Sequence, residues 1–416
     1  MHMQISETGQ AVMRSIFPVL LFAALILQLP QLSYASTSYG LGNFSALNLY
    51  PSDTSALSCT VYNGTIYCIG GLSGSYGVDG AYFAKLSQSG MSNWTQTTAY
   101  PLNTDPSCDA YDGYIYCVGG SFYPYSTNAT YFAQINSTGI GNWTNSTPYP
   151  NPSTRQSCNI YNGTMYCLGS IGVPEGNYAN FVYYAKVSSS GIGKWAQTTL
   201  YPGNLSGVSC YLNSSYIYCI GGSGTAAPPA SYFSRVTSSG VSKWSRTYPY
   251  PIPAAGTSCS IYLGYLYCTG GYSGINYTNR TYYASISPSG IGLWKETSSM
   301  PYPIAFSSCN AYEGTLYCIG GNYHNVTLNA TFTAPILLSQ GAASIITTSI
   351  PATTVTNVSI QGNTSTATVS TDTNSTPQPS QPQAGYNAIW IIIAVLVVVV
   401  AYLVLRARGR RRLSDK

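Results

Sequence analysis

The sequence predicts an all-β fold: a six-bladed β-propeller of four-stranded blades closed by the N-terminal strand, plus one C-terminal transmembrane helix. Three observations predict it. One unit recurs six times at a spacing of about 50 residues, a partial copy precedes the first unit, and an uncharged apolar segment lies near the C-terminus. Only 6% of the 416 residues are charged, while Tyr (40) and Gly (41) are abundant, a composition that favours strands and turns over helices.

The repeated unit contains four strand signals. Its first copy reads SCTVYNGTIYCIGG and then AYFAKLSQSGMSNWTQTTAYP. The strands are expected around the first cysteine, around the second cysteine, at YFAKL or its equivalent, and from the tryptophan onward. The tryptophan recurs in five copies, at Trp94, Trp143, Trp195, Trp244 and Trp294. Their identical repeat position favours a role in blade packing over the alternative of a sugar-stacking set.

The sixth copy has no tryptophan, and the missing part lies at the other end of the chain. The segment GLGNFSALNLYP matches GIGNWTNSTPYP of the second copy, which places Phe44 one period before Trp94. The last blade is therefore predicted to take its outer strand from the N-terminus, which closes the ring and removes an open sheet edge. A linear solenoid is the alternative, but it would not need this half-repeat.

The repeat resembles the kelch family over residues 40 to 337. The resemblance rests on a Gly pair at the end of a strand, a later Tyr, and then the Trp. The Gly pairs are Gly70-Gly71, Gly119-Gly120, Gly221-Gly222, Gly270-Gly271 and Gly320-Gly321, and the tyrosines are Tyr82, Tyr131, Tyr183, Tyr232 and Tyr282. The third copy departs with Gly169-Ser170, the gap from Tyr to Trp is longer than usual in the family, and the cysteines are additional. The resemblance implies a propeller that binds a protein or glycan partner.

All 12 cysteines form pairs nine positions apart. The pairs are Cys59 with Cys68, Cys108 with Cys117, Cys158 with Cys167, Cys210 with Cys219, Cys259 with Cys268, and Cys309 with Cys318. Turn-forming dipeptides such as Asn63-Gly64 lie midway, so each pair should face across a two-residue hairpin, within reach of a disulfide. The loop-entropy relation gives somewhat under about 3 kcal/mol for each bond. Zinc is the competing interpretation, but the spacing does not match a zinc knuckle.

The two ends of the chain predict export and anchoring. Residues 1–35 have the features of a signal peptide, with an uncleaved anchor as the alternative. Residues 36–339 form the propeller, and residues 340–386 form a Ser/Thr/Pro-rich stalk. Residues 387–405 form the transmembrane helix, and the Arg-rich tail 406–416 is expected in the cytoplasm, which puts the propeller outside the cell.

Seventeen Asn-x-Ser/Thr sequons suggest that glycans supply the surface polarity that charges do not. Eight are taken as the candidate glycosylation sites: Asn93, Asn128, Asn142, Asn276, Asn325, Asn357, Asn363 and Asn374.

Residues for catalysis are scarce. The two histidines are His2, in the signal peptide, and His324, and every cysteine is assigned to a pair. A copper site of the galactose oxidase type lacks its ligands. An arginine cluster of the sialidase type would need residues from different blades, namely Arg155, Arg235, Arg246 and Arg280. A metal site at Asp105, Asp109 and Asp112 is possible, but Asp109 and Asp112 share one hairpin, so a solvated turn is favoured.

The sequence thus predicts a non-enzymatic, membrane-anchored cell-surface binding or adhesion protein with no cofactor, no metal and no nucleic-acid partner. The variable loops, such as GLSGSYGVDG and SFYPYSTN, are the predicted contact surface for a protein or glycan. A structural cell-envelope component and an extracellular glycan-acting enzyme are the alternatives.

Overall fold

The computed structural model describes residues 38–87, 90–122, 124–172, 177–224, 230–253 and 255–339. Within these ranges every regular element is a strand, and no helix is long and apolar enough to cross a membrane. The predicted signal peptide, stalk, transmembrane helix and basic tail lie outside the described residues.

Six antiparallel sheets, one per blade, follow the order first, second, third and outer strand. The first strands of blades one to six are Ser58–Tyr62, Ser107–Tyr111, Ser157–Tyr161, Leu205–Asn213, Ser258–Tyr262 and Ser308–Tyr312. The second strands are Thr65–Ile69, Tyr114–Val118, Thr164–Gly172, Tyr216–Gly224, Tyr265–Thr269 and Thr315–Ile319. The third strands are Ala81–Ser87, Thr130–Asn136, Asn177–Ser188, Ser231–Thr237, Thr281–Ser287 and Thr331–Ser339.

The outer strand is split into two short segments on either side of the tryptophan. In blades one to five the segments are Gly90–Met91 and Thr95–Gln96, Gly139–Ile140 and Thr144–Asn145, Gly191–Ile192 and Ala196–Gln197, Gly240–Val241 and Ser245–Thr247, and Gly290–Ile291 and Lys295–Thr297. The expectation that this strand starts at the tryptophan is therefore wrong. The chain leaves the ladder there because the indole turns toward the tyrosine of the loop that enters the blade, as Trp195 does toward Tyr149 at 5.0 Å.

The N-terminal segment closes the ring, as the half-repeat predicts. Ser38–Leu41 and Ser45–Ala46 both pair with the third strand of blade six. The first strands contact one another in sequence around an axis, including the first with the sixth. Phe44 is half-buried and packs against the core cluster that contains Met300 and Phe332. The domain is a closed six-bladed propeller.

Six disulfides join the first and second strands, one in each blade, at the predicted pairs. The paired Cα atoms are 4.0 to 4.1 Å apart and face each other in the register. In blade one, Asn63 and Gly64 have φ values of 45° and 70°, as expected for the turn of a tight hairpin. Six such bonds indicate an extracellular, stabilised domain.

The hydrophobic core lies between neighbouring blades. One cluster, for example, joins Val118 and Phe132 of blade two to Met165 and Cys167 of blade three. Glycine pairs let the backbones of adjacent blades approach. Gly71 has φ 112° and donates its N–H to Thr104 O, and a Cβ there would lie 2.4 Å from Thr54. The repeat therefore stabilises the contacts between blades as well as each blade.

Three short hairpins project between the second and third strands. They are Leu72–Ser73 with Tyr76–Gly77, Ser121–Phe122 with Tyr125–Ser126, and Asn322–Tyr323 with Val326–Thr327. They lie at the end of the axis where the first strands begin, because Ser55 pairs with Leu72 and Ala305 with Asn322. We call this the loop end.

Candidate binding site at the loop end

A cavity of about 190 Å³ lies on the axis at the loop end. All six blades line it with the residues at the start of the first strand, such as Ala56 to Ser58 in blade one. We call it the axial cavity. The propeller brings these residues together although they are about 50 positions apart in sequence.

Serine hydroxyls connect the blades around this cavity. The serine before the first cysteine of one blade bonds to the backbone of the first cysteine of the next. Ser58 Oγ accepts from Cys108 N at 2.8 Å, and Ser308 Oγ accepts from Cys59 N at 3.1 Å, which closes the ring. Equivalent bonds join Ser107 to Cys158, Ser157 to Cys210, and Ser258 to Cys309. In blade four, Tyr211 Oη accepts from Cys259 N instead.

Two residues before each of these serines, five blades have a left-handed backbone. The φ values are 53° at Ala56, 55° at Arg155, 62° at Gly207, 63° at Gly256 and 57° at Phe306. Backbone hydrogen bonds run from blade to blade at this position, from Gly207 N to Arg155 O, Gly256 N to Gly207 O, Phe306 N to Gly256 O and Ala56 N to Phe306 O. Glycine adopts this conformation freely, whereas a side chain there costs on the order of 1 kcal/mol.

Blade two interrupts this ring. Its residue at the same position, Asp105, is buried and lacks the left-handed backbone. The carboxylate accepts hydrogen bonds from the Ser121 hydroxyl at 2.7 Å and from the Thr154 hydroxyl at 3.0 Å. Burial raises the pKa of Asp105 above its ordinary value, and the bonds from Ser121 and Thr154 and the charge of Arg155 oppose that rise in part.

Arg155 and Phe306 meet across the axis. They belong to blades three and six, which are opposite each other in a ring of six. The guanidinium carbon of Arg155 lies 5.3 Å from the centroid of the Phe306 ring, a cation–π contact. Arg155 is exposed and forms no ion pair within the described residues. The exposed cation of Arg155, supported by the half-buried Phe306 ring, is thus available to a ligand at the axial cavity.

Two groups of mainly aromatic and apolar side chains lie at the loop end, most of them exposed. The one–two patch consists of Tyr76, which is 79% exposed, with Phe122 and Tyr125. The five–six patch consists of the exposed residues Ile275, Tyr323, His324 and Val326 together with the half-buried Tyr272 and Tyr277. Exposed aromatic groups that are contiguous at one end of a domain are typical of an interaction surface.

The four arginines considered for a cluster do not gather. Only Arg155 lines the axial cavity within the described residues. Arg235 lies opposite Tyr216, and Arg246 lies opposite Tyr232, in separate ladders of blade four. Arg280 forms an exposed ion pair with Glu296 at 3.6 Å.

The three aspartates considered for a metal have separate roles. Within the described residues no group of His, Cys, Asp or Glu is arranged to hold a metal ion. Asp112 occupies its hairpin turn, with φ 48°. The interpretation of Asp109 as part of a solvated turn is wrong: its carboxylate accepts from Thr60 Oγ1 of blade one at 3.0 Å and from Ile160 N of blade three at 2.7 Å. Burial raises its pKa.

The tryptophans lie between blades. The indole Nε1 of Trp195 donates to Thr147 O at 3.2 Å, and Trp143, Trp244 and Trp294 make equivalent bonds to the preceding blade. The Trp94 Nε1, at the junction of blades six and one, is buried without an acceptor among the described residues.

Of the candidate glycosylation sites, Asn93, Asn142, Asn276 and Asn325 are exposed, and Asn128 is half-buried. Asn357, Asn363 and Asn374 lie outside the described residues.

Sequence reasoning missed the residues that join the blades, although their signal was present. A serine precedes the first cysteine in all six copies. A second series of hydroxyls follows the outer strand and bonds to the next blade, through Thr97 to Ile140, Ser146 to Ile192, Thr198 to Val241, Thr247 to Ile291 and Thr297 to Leu41. Arg155 and Phe306 had no such signal, because they differ from their equivalents in the other copies.

No protein-family model matches the chain, and no curated protein matches it significantly. Among solved structures the fold recurs widely. One with this fold is YjhT. It superposes with a TM-score of 0.58 at 15% identity, and the match covers 71% of this chain and 99% of the YjhT chain. YjhT is a propeller-type protein, and at this identity the likeness to it shows the fold alone.

Proposed function

We propose that this chain is a cell-surface binding protein of the kelch type, and not an enzyme, whose loop end recognises a protein or glycan ligand. One helix at residues 387–405 anchors it, with the basic tail in the cytoplasm and the propeller outside. Export is supported by the six disulfides, and the kelch assignment by the repeated Gly pair, Tyr and Trp.

The observation that carries the proposal is the pair Arg155 and Phe306. Both residues have a left-handed backbone, at the position that glycine occupies in blades four and five. Such strain persists where the side chain has a role that outweighs its cost. Here the two side chains meet at the axial cavity, and they can anchor a ligand that also contacts Tyr76 and Tyr125 of the one–two patch.

Binding of the propeller, residues 36–339, to an array of glycans and cell surfaces tests whether the loop end is the binding face. We expect saturable binding to a subset of glycans or cell surfaces, reduced at least about tenfold by combined Tyr76→Ser and Tyr125→Ser substitutions, a loss of about 1.4 kcal/mol. The control is Leu263→Ser. Leu263 is 61% exposed in the turn between the first and second strands, at the opposite end of the axis.

Two other outcomes would replace the proposal. No saturable binder, on an array that covers glycans and cell surfaces, would favour a structural envelope component. Turnover of a glycan that is abolished by substitution of Arg155 or Asp105 would favour an enzyme.

A further inference from the structure

The five–six patch is an aromatic surface on two neighbouring hairpins: residues 272–277 of blade five, closed by an isolated bridge between Tyr272 and Tyr277, and residues 322–327 of blade six. The rings of Tyr272 and Tyr277 are 4.7 Å apart, and Tyr323 and His324 are 4.3 Å apart. Tyr277 joins the two pairs, at 6.0 Å from Tyr323 and 5.5 Å from His324. The Tyr277 hydroxyl also donates to Asn322 Oδ1 at 2.7 Å, which fixes the two hairpins to each other.

The patch carries no Asp, Glu, Lys or Arg. Residues 272–277 read YSGINY, and residues 322–327 read NYHNVT. Ile275 is 82% exposed at the tip of the first hairpin. What covers such a surface should therefore be neutral, with apolar faces and hydroxyl or amide groups at their edges.

Two sequons lie inside the patch itself. Asn276 follows Ile275 at the first tip, and Asn325 occupies the two-residue turn of the second hairpin, with φ 65°. Both residues are exposed, and neither side-chain amide forms a hydrogen bond within the described residues. The nearby Asn279 differs: its Nδ2 donates to Met300 O at 3.1 Å, so its amide is already part of the fold.

We infer that glycans attached to Asn276 and Asn325 cover the five–six patch. The C–H faces of the first sugars pack on the rings of Tyr272, Tyr277 and Tyr323, which removes apolar area from water. The axial cavity and the one–two patch are then the parts of the loop end that remain accessible to a ligand. This inference rests on the proposed export of the propeller and narrows the surface assigned to its ligand.

Glycopeptide mapping of the full chain, purified from the membranes of the cells that make it, tests the inference without any variant. We expect glycans on Asn276 and Asn325 and none on Asn279. Asn276 and Asn279 lie within one tryptic peptide that ends at Arg280. The mass-spectrometric fragmentation must therefore leave the sugars attached, so that each glycan can be assigned to its asparagine. Unmodified Asn276 and Asn325 overturn the inference, while the ligand-binding measurements on Tyr76 and Tyr125 variants are unaffected.

A double-mutant comparison distinguishes a glycan that packs on the patch from one that is only attached to Asn325. In glycosylated protein, Tyr323→Ser should lower the melting temperature more than it does in the Asn325→Gln background. Tyr76→Ser is the matched control, since no sequon lies on its hairpin and its effect should be the same in both backgrounds. Equal effects of Tyr323→Ser with and without the glycan would show that the sugar does not pack on the ring.

Discussion

Arg155, Phe306 and Ala56 share one backbone conformation and differ in what their side chains can do. All three have left-handed φ angles, but only the first two meet across the axis. Their backbone N–H and C=O groups, not their side chains, form the ring around the cavity. Substitutions at this position can therefore separate the contribution of the backbone from that of the side chain.

Ala56→Gly should stabilise the protein by about 0.5 to 1 kcal/mol, because glycine removes the steric cost of the left-handed backbone. Arg155→Gly removes the same steric cost but also the cation–π contact, so its gain in melting temperature should be smaller than that of Ala56→Gly. Thermal unfolding measures both. A clear loss of stability in Ala56→Gly would contradict the proposed strain.

The buried carboxyl of Asp105 predicts a pH dependence of stability. Its pKa is raised in the folded protein, so the folded state holds the proton more tightly than the unfolded chain does. The stability it contributes is complete below the ordinary carboxyl pKa of about 3.9 and is lost as pH rises through the folded value.

Asp105→Asn removes that titration and keeps an oxygen that can accept from Ser121. The melting temperature of the variant relative to the wild type should therefore rise as the pH increases above about 4. Asp109 remains in both proteins and cancels in the comparison. Parallel pH profiles of the two proteins would show that Asp105 does not titrate as proposed.

Each blade combines a hairpin disulfide with side chains that bond to the next blade. Turn dipeptides and cysteine spacing predict the hairpins, because both are local in sequence. The split of the outer strand could not be predicted in this way. It depends on the indole reaching Tyr149 or its equivalents in the loop that enters the blade, a contact set by the packing of blades.

Substituting two of the tryptophans compares how much the indole contributes to stability at two blade junctions. Trp195→Phe removes the hydrogen bond to Thr147 O, and we expect it to cost about 1 kcal/mol more than Trp94→Phe, which loses a similar volume but no such bond. Chemical denaturation measures both free energies of unfolding. If Trp94→Phe proves equally costly, the indole bond is not what distinguishes the junctions.

At the scale of the whole molecule, the junction of blades six and one differs from the other five. Hydroxyls bond the outer strands at five junctions, but Leu47 and Met91 lie in the same core cluster at the sixth. The inner ring continues across this junction, through Cys59 N to Ser308 Oγ and Ala56 N to Phe306 O. The ring is thus closed fully at the axis and by apolar packing at its rim.

The closed ring of six could be predicted from sequence because Phe44 supplies the one part that the sixth copy lacks. The axial cavity could not be predicted in this way. Asp105, Arg155 and Phe306 come from three different copies, and only the closed ring brings them close together. The repeat therefore predicts the propeller, but it does not predict the residues that line its axis.

Binding of the propeller to the surface of the cells that make it shows whether the axial cavity is the recognition site. We expect the wild type and the control Leu263→Ser to bind saturably and alike, and Arg155→Gly to bind at least about tenfold more weakly, a difference of about 1.4 kcal/mol, while remaining folded. Equal binding by Arg155→Gly and the wild type would contradict the assignment of the axial cavity as the recognition site.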